Sequence, residues 1–189
     1  MMNELSLHIL DVIENSTRAG ARLIEITIIE ATDRDKLMIE IRDDGSGMDE
    51  ETLGRIMDPF YTTRTVRRVG LGIPLLAQAA RAAEGSCAVQ SSPGGGTRVT
   101  VEFRLHHIDR QPLGKMDETL ATAIAGNPEV DFVYTHRIDD ENYRLDTREL
   151  RLVLDDVPLN SASVIAFIRN DIAEALAEMK KRSRTGTEC

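Results

Sequence analysis

Residues 12 to 21 read Val-Ile-Glu-Asn-Ser-Thr-Arg-Ala-Gly-Ala and close a run of helical periodicity at the N-terminus. Leu5, Ile9 and Val12 recur at spacings of four and three, which places them on one face of a helix. Gly20 can adopt the left-handed conformation that ends a helix. The sequence therefore predicts an amphipathic first helix that stops at a turn.

Strands and helices alternate beyond this turn. Period-two alternation predicts four strands, at residues 23–28, 36–42, 86–91 and 97–105. Two helices are predicted between the second and third strands, at residues 49–57 and 72–83, and Gly85 is expected to terminate the second. Because the short connections between strands require antiparallel pairs, the sequence predicts an α/β domain whose sheet is not purely parallel.

The pattern changes after residue 105. A helix is predicted at residues 116–125 and a hairpin at 130–138 and 142–145. Two helices are predicted to close the chain, the second ending near Lys181. We therefore divide the chain into a first domain, residues 1–105, and a C-terminal accessory region, residues 106–189, that forms a small α/β extension.

Composition excludes several classes of protein. The 189 residues include 32 acidic and 23 basic side chains, and the net charge of -9 argues against a nucleic-acid binder. Two cysteines provide neither a disulfide framework nor a four-ligand zinc site. No apolar run approaches the roughly 20 residues that span a bilayer, and the N-terminus lacks a basic leader. We expect a cytoplasmic protein without membrane or nucleic-acid partners.

The first candidate site lies on the first helix. Asp11 and Asn15 are four residues apart and therefore share a helix face. An asparagine carbonyl is a suitable ligand for Mg²⁺, and a carboxylate one turn earlier can orient an attacking water. Alone, the pair is also consistent with polar contacts at the edge of a buried helix.

The second candidate site follows the second strand, where residues 42–48 read Arg-Asp-Asp-Gly-Ser-Gly-Met. Gly45 and Gly47 let the backbone approach a flat ligand closely, and Met48 closes the stretch. An ionised Asp43 only accepts hydrogen bonds, which suits the exocyclic amine of adenine. A polar strand-to-helix turn is the alternative.

Two further segments are rich in glycine and hydroxyl groups. A helix N-terminus with free N–H groups favours phosphate oxygens, and the residues proposed to bind them here are Thr62, Thr63, Arg64, Gly70, Leu71 and Gly72. Thr97 follows three glycines at the start of a strand, a pattern that is also typical of a simple hairpin.

Taken in order, these four segments resemble the N box, G1 box, G2 box and closing Gly-Thr element of the GHKL superfamily of gyrase, Hsp90-type chaperones, histidine kinases and MutL. Residues 12–21 are similar to the MutL-type N box, whereas residues 60–64 and 70–72 look more like those of histidine kinases. The resemblance covers about residues 5–105. It implies the Bergerat fold, a two-layer α/β sandwich in which helices cover one face of a mixed sheet, with ATP and Mg²⁺ as ligands.

The resemblance also implies roles for individual residues. Asn15 matches the magnesium-binding asparagine and Asp43 the adenine-binding aspartate. The remaining nucleotide-binding matches are Gly45, Gly47, Met48, Thr62, Thr63, Arg64, Gly70, Leu71, Gly72 and Thr97. Asp11 stands where MutL-type relatives carry a catalytic glutamate, and its side chain is one methylene shorter.

Three functions remain open at this stage. No histidine has the context of a phosphoacceptor, so we expect a regulatory kinase or slow ATPase that acts on a separate, unidentified protein partner. The alternatives are a non-catalytic module that senses ATP and ADP, or a scaffold. The sequence leaves open whether the chain forms a homodimer.

Overall fold

The computed structural model describes residues 4–57 and 72–186. Six helices and six strands alternate along these residues. In chain order they are α1 Leu5–Arg18, β1 Leu23–Ala31, β2 Lys36–Asp43, α2 Glu50–Met57, α3 Gly72–Ala82, β3 Ser86–Ser91, β4 Thr97–Arg104, α4 Met116–Gly126, β5 Asp131–Ile138, β6 Glu141–Asp146, α5 Thr147–Leu154 and α6 Ala162–Gly186.

The strands form one sheet in the order β3-β4-β2-β1-β5-β6. All neighbouring pairs are antiparallel except β1 and β5, which are parallel. The chain can make this parallel pair because α4 lies in the long connection that returns it to the other side of β1. The sheet is therefore mixed, as predicted.

One face of the sheet carries the core. Alternate residues of β1, β2, β4 and β5 are fully or almost fully buried there, among them Ile26, Ile39, Val101 and Phe132. These side chains form one cluster with apolar residues of α1, α3, α4 and α6. The protein is thus a two-layer α/β sandwich, and the predicted fold class is confirmed.

The C-terminal residues complete the same two layers. Phe132 and Tyr134 of β5 are fully buried beside the strands of the first hundred residues. The Tyr134 hydroxyl lies 2.6 Å from His136 Nδ1, and His136 Nε2 donates to Glu30 Oε1 of β1 at 2.8 Å. Burial raises the pKa of Glu30, but the hydrogen bond from His136 and nearby positive charge outweigh this effect and lower it. Strands β5 and β6 thus extend the sheet beyond β1.

Two helix ends differ from the sequence predictions. Helix α6 continues to Gly186, beyond the predicted end near Lys181. At the end of α3 the residue in the left-handed region is Glu84, with a φ of 52°, and not Gly85. Gly85 is needed for another reason, because a Cβ on it would lie 1.9 Å from the Glu102 carbonyl oxygen.

Among the described helices, none combines the length and the apolar character that crossing a membrane requires.

Candidate nucleotide site

Helix α1 presents Asp11 and Asn15 at the edge of the core. The first N–H groups of the helix, from Leu5 and Ser6, donate to the carbonyl oxygens of Pro112 and Leu113 at 2.9 and 2.8 Å. The segment that follows β4 therefore caps the helix and fixes its position. Asp11 and Asn15 are both half-buried. The Asn15 amide has no hydrogen-bond partner among the described residues, so its oxygen is free to bind a ligand.

Asp11 lies against the start of α3. A Cβ on Gly72, the first residue of α3, would lie 2.6 Å from the Cβ of Asp11, so only glycine allows this approach. Desolvation by burial raises the pKa of Asp11, and the negative charge of Glu14 raises it further. The raised pKa makes Asp11 a better proton acceptor, when it is ionised, than a solvated aspartate.

Asp43 is the buried acid of the site. It ends β2, and only 7% of its surface is exposed. Its Oδ2 accepts a hydrogen bond of 2.7 Å from the Ser16 hydroxyl, and its Oδ1 accepts one of 2.9 Å from the backbone N–H of Gly45. Each carboxylate oxygen keeps a lone pair that can accept from a ligand. These two hydrogen bonds hold the carboxylate in one orientation before a ligand binds.

Ser16 was missed by the sequence analysis. Its position next to Asn15 gives no signal of this role, because the bond to Asp43 joins residues that are 27 positions apart. Only the packing of α1 on the end of β2 brings the two side chains together.

The turn after Asp43 is held to its neighbours by backbone bonds. The Ser46 N–H donates to the Ala19 carbonyl oxygen at 2.9 Å, and the Gly94 N–H donates to the Ser46 carbonyl oxygen at 2.7 Å. Gly47 has a φ of 65°, and a Cβ on it would lie 1.9 Å from the carbonyl oxygen of Ser92. Glycine is therefore required at position 47 on both conformational and steric grounds.

Ser91, a second residue that the sequence analysis missed, ties this turn to Thr97. The Ser91 hydroxyl accepts a hydrogen bond of 2.9 Å from the Met48 N–H and donates one of 2.8 Å to the Gly96 carbonyl oxygen. The Thr97 hydroxyl lies 3.0 Å from the Ser91 hydroxyl oxygen. Met48 and Thr97 are thus fixed on opposite sides of one serine.

A cavity of about 250 Å³ opens between these elements. Predicted residues that line it are Asn15, Asp43, Gly47, Met48 and Thr97. Its apolar walls are Val12, Met48, Ile56, Ile73 and Val99. The volume lies just below the roughly 300–1,000 Å³ of sites that enclose a whole drug-sized ligand. Apolar walls with one buried acceptor suit a flat ring that carries an amine.

The other predicted residues fall into two groups. Gly45, Asp11 and Gly72 do not line the cavity: the Gly45 N–H donates to Asp43, which lines it, and Gly72 packs against Asp11. Thr62, Thr63, Arg64, Gly70 and Leu71 lie outside the described residues.

Metal binding at this site would require oxygens from a bound nucleotide. Within residues 4–57 and 72–186, no three His, Cys, Asp or Glu side chains are grouped so that they could hold a metal ion. Magnesium commonly uses only one or two protein oxygens, with the rest of its shell made of water and phosphate oxygens. The amide oxygen of Asn15, which has no partner among the described residues, therefore fits magnesium that arrives with phosphates.

Comparison with known proteins identifies the segment that carries the site. Residues 3–107 match the model of the family described as histidine kinase-, DNA gyrase B- and HSP90-like ATPase. Sporulation kinase E of Bacillus subtilis is 35% identical over 85 residues, which make up 44% of this chain and 11% of the kinase. The sensor protein kinase FleS of Pseudomonas aeruginosa is 34% identical over 110 residues, which make up 58% of this chain and 27% of the kinase.

The matched segment is thus a small part of each of these kinases. Among solved structures, the crystal structure of the N-terminal domain of a DNA repair protein superposes with a TM-score of 0.51. The two chains are 18% identical, and the match covers 77% of this chain and 52% of the other. This likeness concerns the fold.

Proposed function

This chain belongs to the histidine kinase-, DNA gyrase B- and HSP90-like ATPase family, and we propose that it binds ATP and ADP with magnesium and acts as a kinase or slow ATPase on a separate protein partner. The observation that carries the proposal is Asp43, a carboxylate buried at the floor of an apolar cavity and oriented by two hydrogen bonds. A buried polar group costs free energy when its capacity for hydrogen bonds is unused, and each oxygen of Asp43 can still accept a bond. The amine of adenine can donate one.

Different residues of the site contact the base and the phosphates of the nucleotide. Asp43 accepts from the base, and the apolar walls of the cavity exclude water from it. Asn15 offers its amide oxygen to magnesium, which supplies charge neutralisation at the phosphates when bound. Asp11 receives a proton from the attacking group. Helix α3 begins at Gly72 beside Asp11, and the N-terminus of a helix favours negative charge.

A separate partner is proposed because of the positions of the histidines. His8 and His136 are only 2% and 0% exposed, so neither can meet a phosphate donor without unfolding. The His106 ring bonds Asp35 at 2.6 Å in the turn between β1 and β2, and the neighbouring His107 ring lies 3.7 Å from Glu84, whereas Asp43 lies at the opposite end of β2. Transfer to a histidine of the same chain is therefore disfavoured.

A sensing module without chemistry is the second candidate. The observation in its favour is Asp11 itself, whose carboxylate reaches about one methylene less far than a glutamate at the same position. A misplacement of about 1 Å can cost roughly 100-fold in rate.

Incubation of the full chain with γ-labelled ATP and magnesium, with and without cell lysate, separates these functions. Label on a second protein supports the kinase, and slow release of labelled phosphate supports the ATPase. Saturable ADP binding by calorimetry without either product supports the sensor. Absence of any saturation at millimolar nucleotide would overturn the proposal as a whole.

Asp11→Asn is expected to reduce label transfer or phosphate release by about 100-fold or more, because the amide cannot accept a proton. ADP affinity is expected to stay unchanged. Since the pKa of Asp11 is raised, the wild-type rate should fall on acidification at a higher pH than an ordinary aspartate would give. Glu14→Gln removes one cause of that shift, so it should move the acid limb of the pH–rate profile to lower pH. An unchanged rate in Asp11→Asn would assign the proton to another group.

Ser16→Ala is expected to weaken ADP binding by about 10-fold, because it removes a hydrogen bond to a buried carboxylate. Thr17→Ala is the matched control: it also removes a hydroxyl from α1, but the Thr17 hydroxyl donates only to the carbonyl oxygen of Glu14. Calorimetric titration of both variants checks the difference. Equal affinities in the two variants would show that Asp43 does not depend on Ser16.

A further inference from the structure

Strand β3 forms one edge of the sheet and is unguarded, which means that it lacks the charges, prolines and bulges that usually prevent strand addition. It pairs with β4 through six consecutive residues, Ser86 to Ser91, without a bulge. None of these residues is charged, and none is proline. Among the described residues, no backbone group bonds to the outer side of the strand. Such a regular, uncharged edge is a template for pairing with another strand.

The opposite edge, β6, is protected in the usual ways. It carries charges at Glu141, Arg144 and Asp146. Arg182 of α6 bonds to Glu141, and α5 starts directly after Asp146. Charges and covering elements at an edge discourage strand addition. The contrast within one sheet indicates that β3 is the edge that accepts a partner.

We propose that β3 pairs antiparallel with β3 of a second copy of this chain, about a two-fold axis perpendicular to the sheet. In this arrangement each copy supplies the same strand, as isologous dimers do. Self-pairing is favoured because the strand has no charges that would meet like charges across the axis. The two six-stranded sheets become one continuous sheet, and both unguarded edges disappear.

The side chains of β3 select the register. Cys87 and Val89 are half-buried and pack against the core, whereas Ser86, Ala88 and Gln90 are exposed. With Ala88 on the axis, Cys87 of one copy faces Val89 of the other, so that two apolar side chains meet. With Val89 on the axis, one apolar pair forms between the two Val89 side chains, and Cys87 faces Ser91, whose hydroxyl already bonds Met48 and Gly96. With Ala88 on the axis, the two-fold symmetry forms the pair of Cys87 and Val89 twice. The register centred on Ala88 therefore buries more apolar surface.

The first test is the mass of the full chain in solution. Light scattering at tens of micromolar protein should give twice the 21.0 kDa of one chain. Ala88→Lys should give a monomer, because it places two lysines side by side at the axis. Its side chain points away from the core, so the circular dichroism spectrum should not change. Asn142→Lys, which adds the same charge at an exposed position on β6, should remain a dimer.

The second test fixes the register. Ala88→Cys should form a disulfide between copies on mild oxidation, since paired positions in antiparallel strands lie within the Cα separation that a disulfide spans. Peptide mapping should find the link between the two A88C sites, and Asn142→Cys should give none. A monomeric wild type, a dimer that survives Ala88→Lys, or loss of the dimer in Asn142→Lys would each overturn the proposal. These readouts require no nucleotide, so they stand apart from the proposed function.

Discussion

Asp43→Asn is expected to weaken ADP binding by about 100-fold. The carboxylate uses one oxygen for the Ser16 hydroxyl and the other for the Gly45 N–H, and both oxygens keep a lone pair. In the variant, the oxygen of the amide can remain with Gly45, but the NH₂ group must then face Ser16. This NH₂ group is a donor, whereas the carboxylate oxygen that it replaces is an acceptor. The amine of the base therefore meets a second donor and loses its hydrogen bond. Loss of a hydrogen bond to a charged group costs about 1.5–3 kcal/mol.

Calorimetric titration with ADP in the presence of magnesium measures this effect. Asp33→Asn is the matched control, since it makes the same chemical change at an exposed residue in the turn between β1 and β2. Its affinity should equal that of the wild type. The thermal unfolding of both variants reports whether the fold is kept. Wild-type affinity in Asp43→Asn would show that the base does not contact this acid.

The sequence singled out Asn15 and Asp43, which line one cavity in the structure, but it did not single out the serines that contact this site. Asn15 and Asp43 were recognisable because amide and carboxylate oxygens at those positions imply a chemistry. Ser16 and Ser91 were not, because a hydroxyl is common at every turn and its role depends on what packs against it. The bonds from these two serines join different elements, and the spacing of residues along the chain does not encode such bonds.

The same limit applies to the strands. The sequence predicted residues 130–138 as the first strand of a hairpin, but it could not predict which strand would lie on the other side. The parallel pairing of β5 with β1 depends on long-range packing of Phe132 and Tyr134 and on the buried bonds of His136 to Tyr134 and Glu30. Local periodicity reports only which side of a strand is buried.

The hairpin between β3 and β4 shows how steric contact can matter more than backbone conformation. Gly94 and Gly96 both lie in the left-handed region, with φ of 73° and 72°. A Cβ on Gly94 would meet nothing within 4 Å, whereas a Cβ on Gly96 would lie 2.0 Å from the carbonyl oxygen of Asp43. Alanine at position 94 therefore tests the energetic cost of the left-handed conformation alone, and alanine at position 96 adds the cost of a steric clash.

Gly94→Ala is expected to reduce the free energy of unfolding by about 1–2 kcal/mol, which is the cost of placing an L-residue in the left-handed region. Gly96→Ala should lose about 1–3 kcal/mol more, because the new methyl group must displace the end of β2. Denaturant unfolding of the two variants measures the difference.

Nucleotide binding should separate these variants even more clearly than stability does. The Asp43 carbonyl oxygen and the Asp43 carboxylate belong to one residue, and Asp43 is paired with Thr97 at the end of the β2–β4 ladder. A methyl group at position 96 that moves the backbone of Asp43 also moves the carboxylate away from Ser16. Gly96→Ala should therefore lose measurable ADP binding at temperatures where it is still folded, and Gly94→Ala should bind as the wild type does. Equal affinities in the two folded variants would mean that the site tolerates movement at the end of β2, and that the rigid placement of Asp43 is not what gives the cavity its affinity.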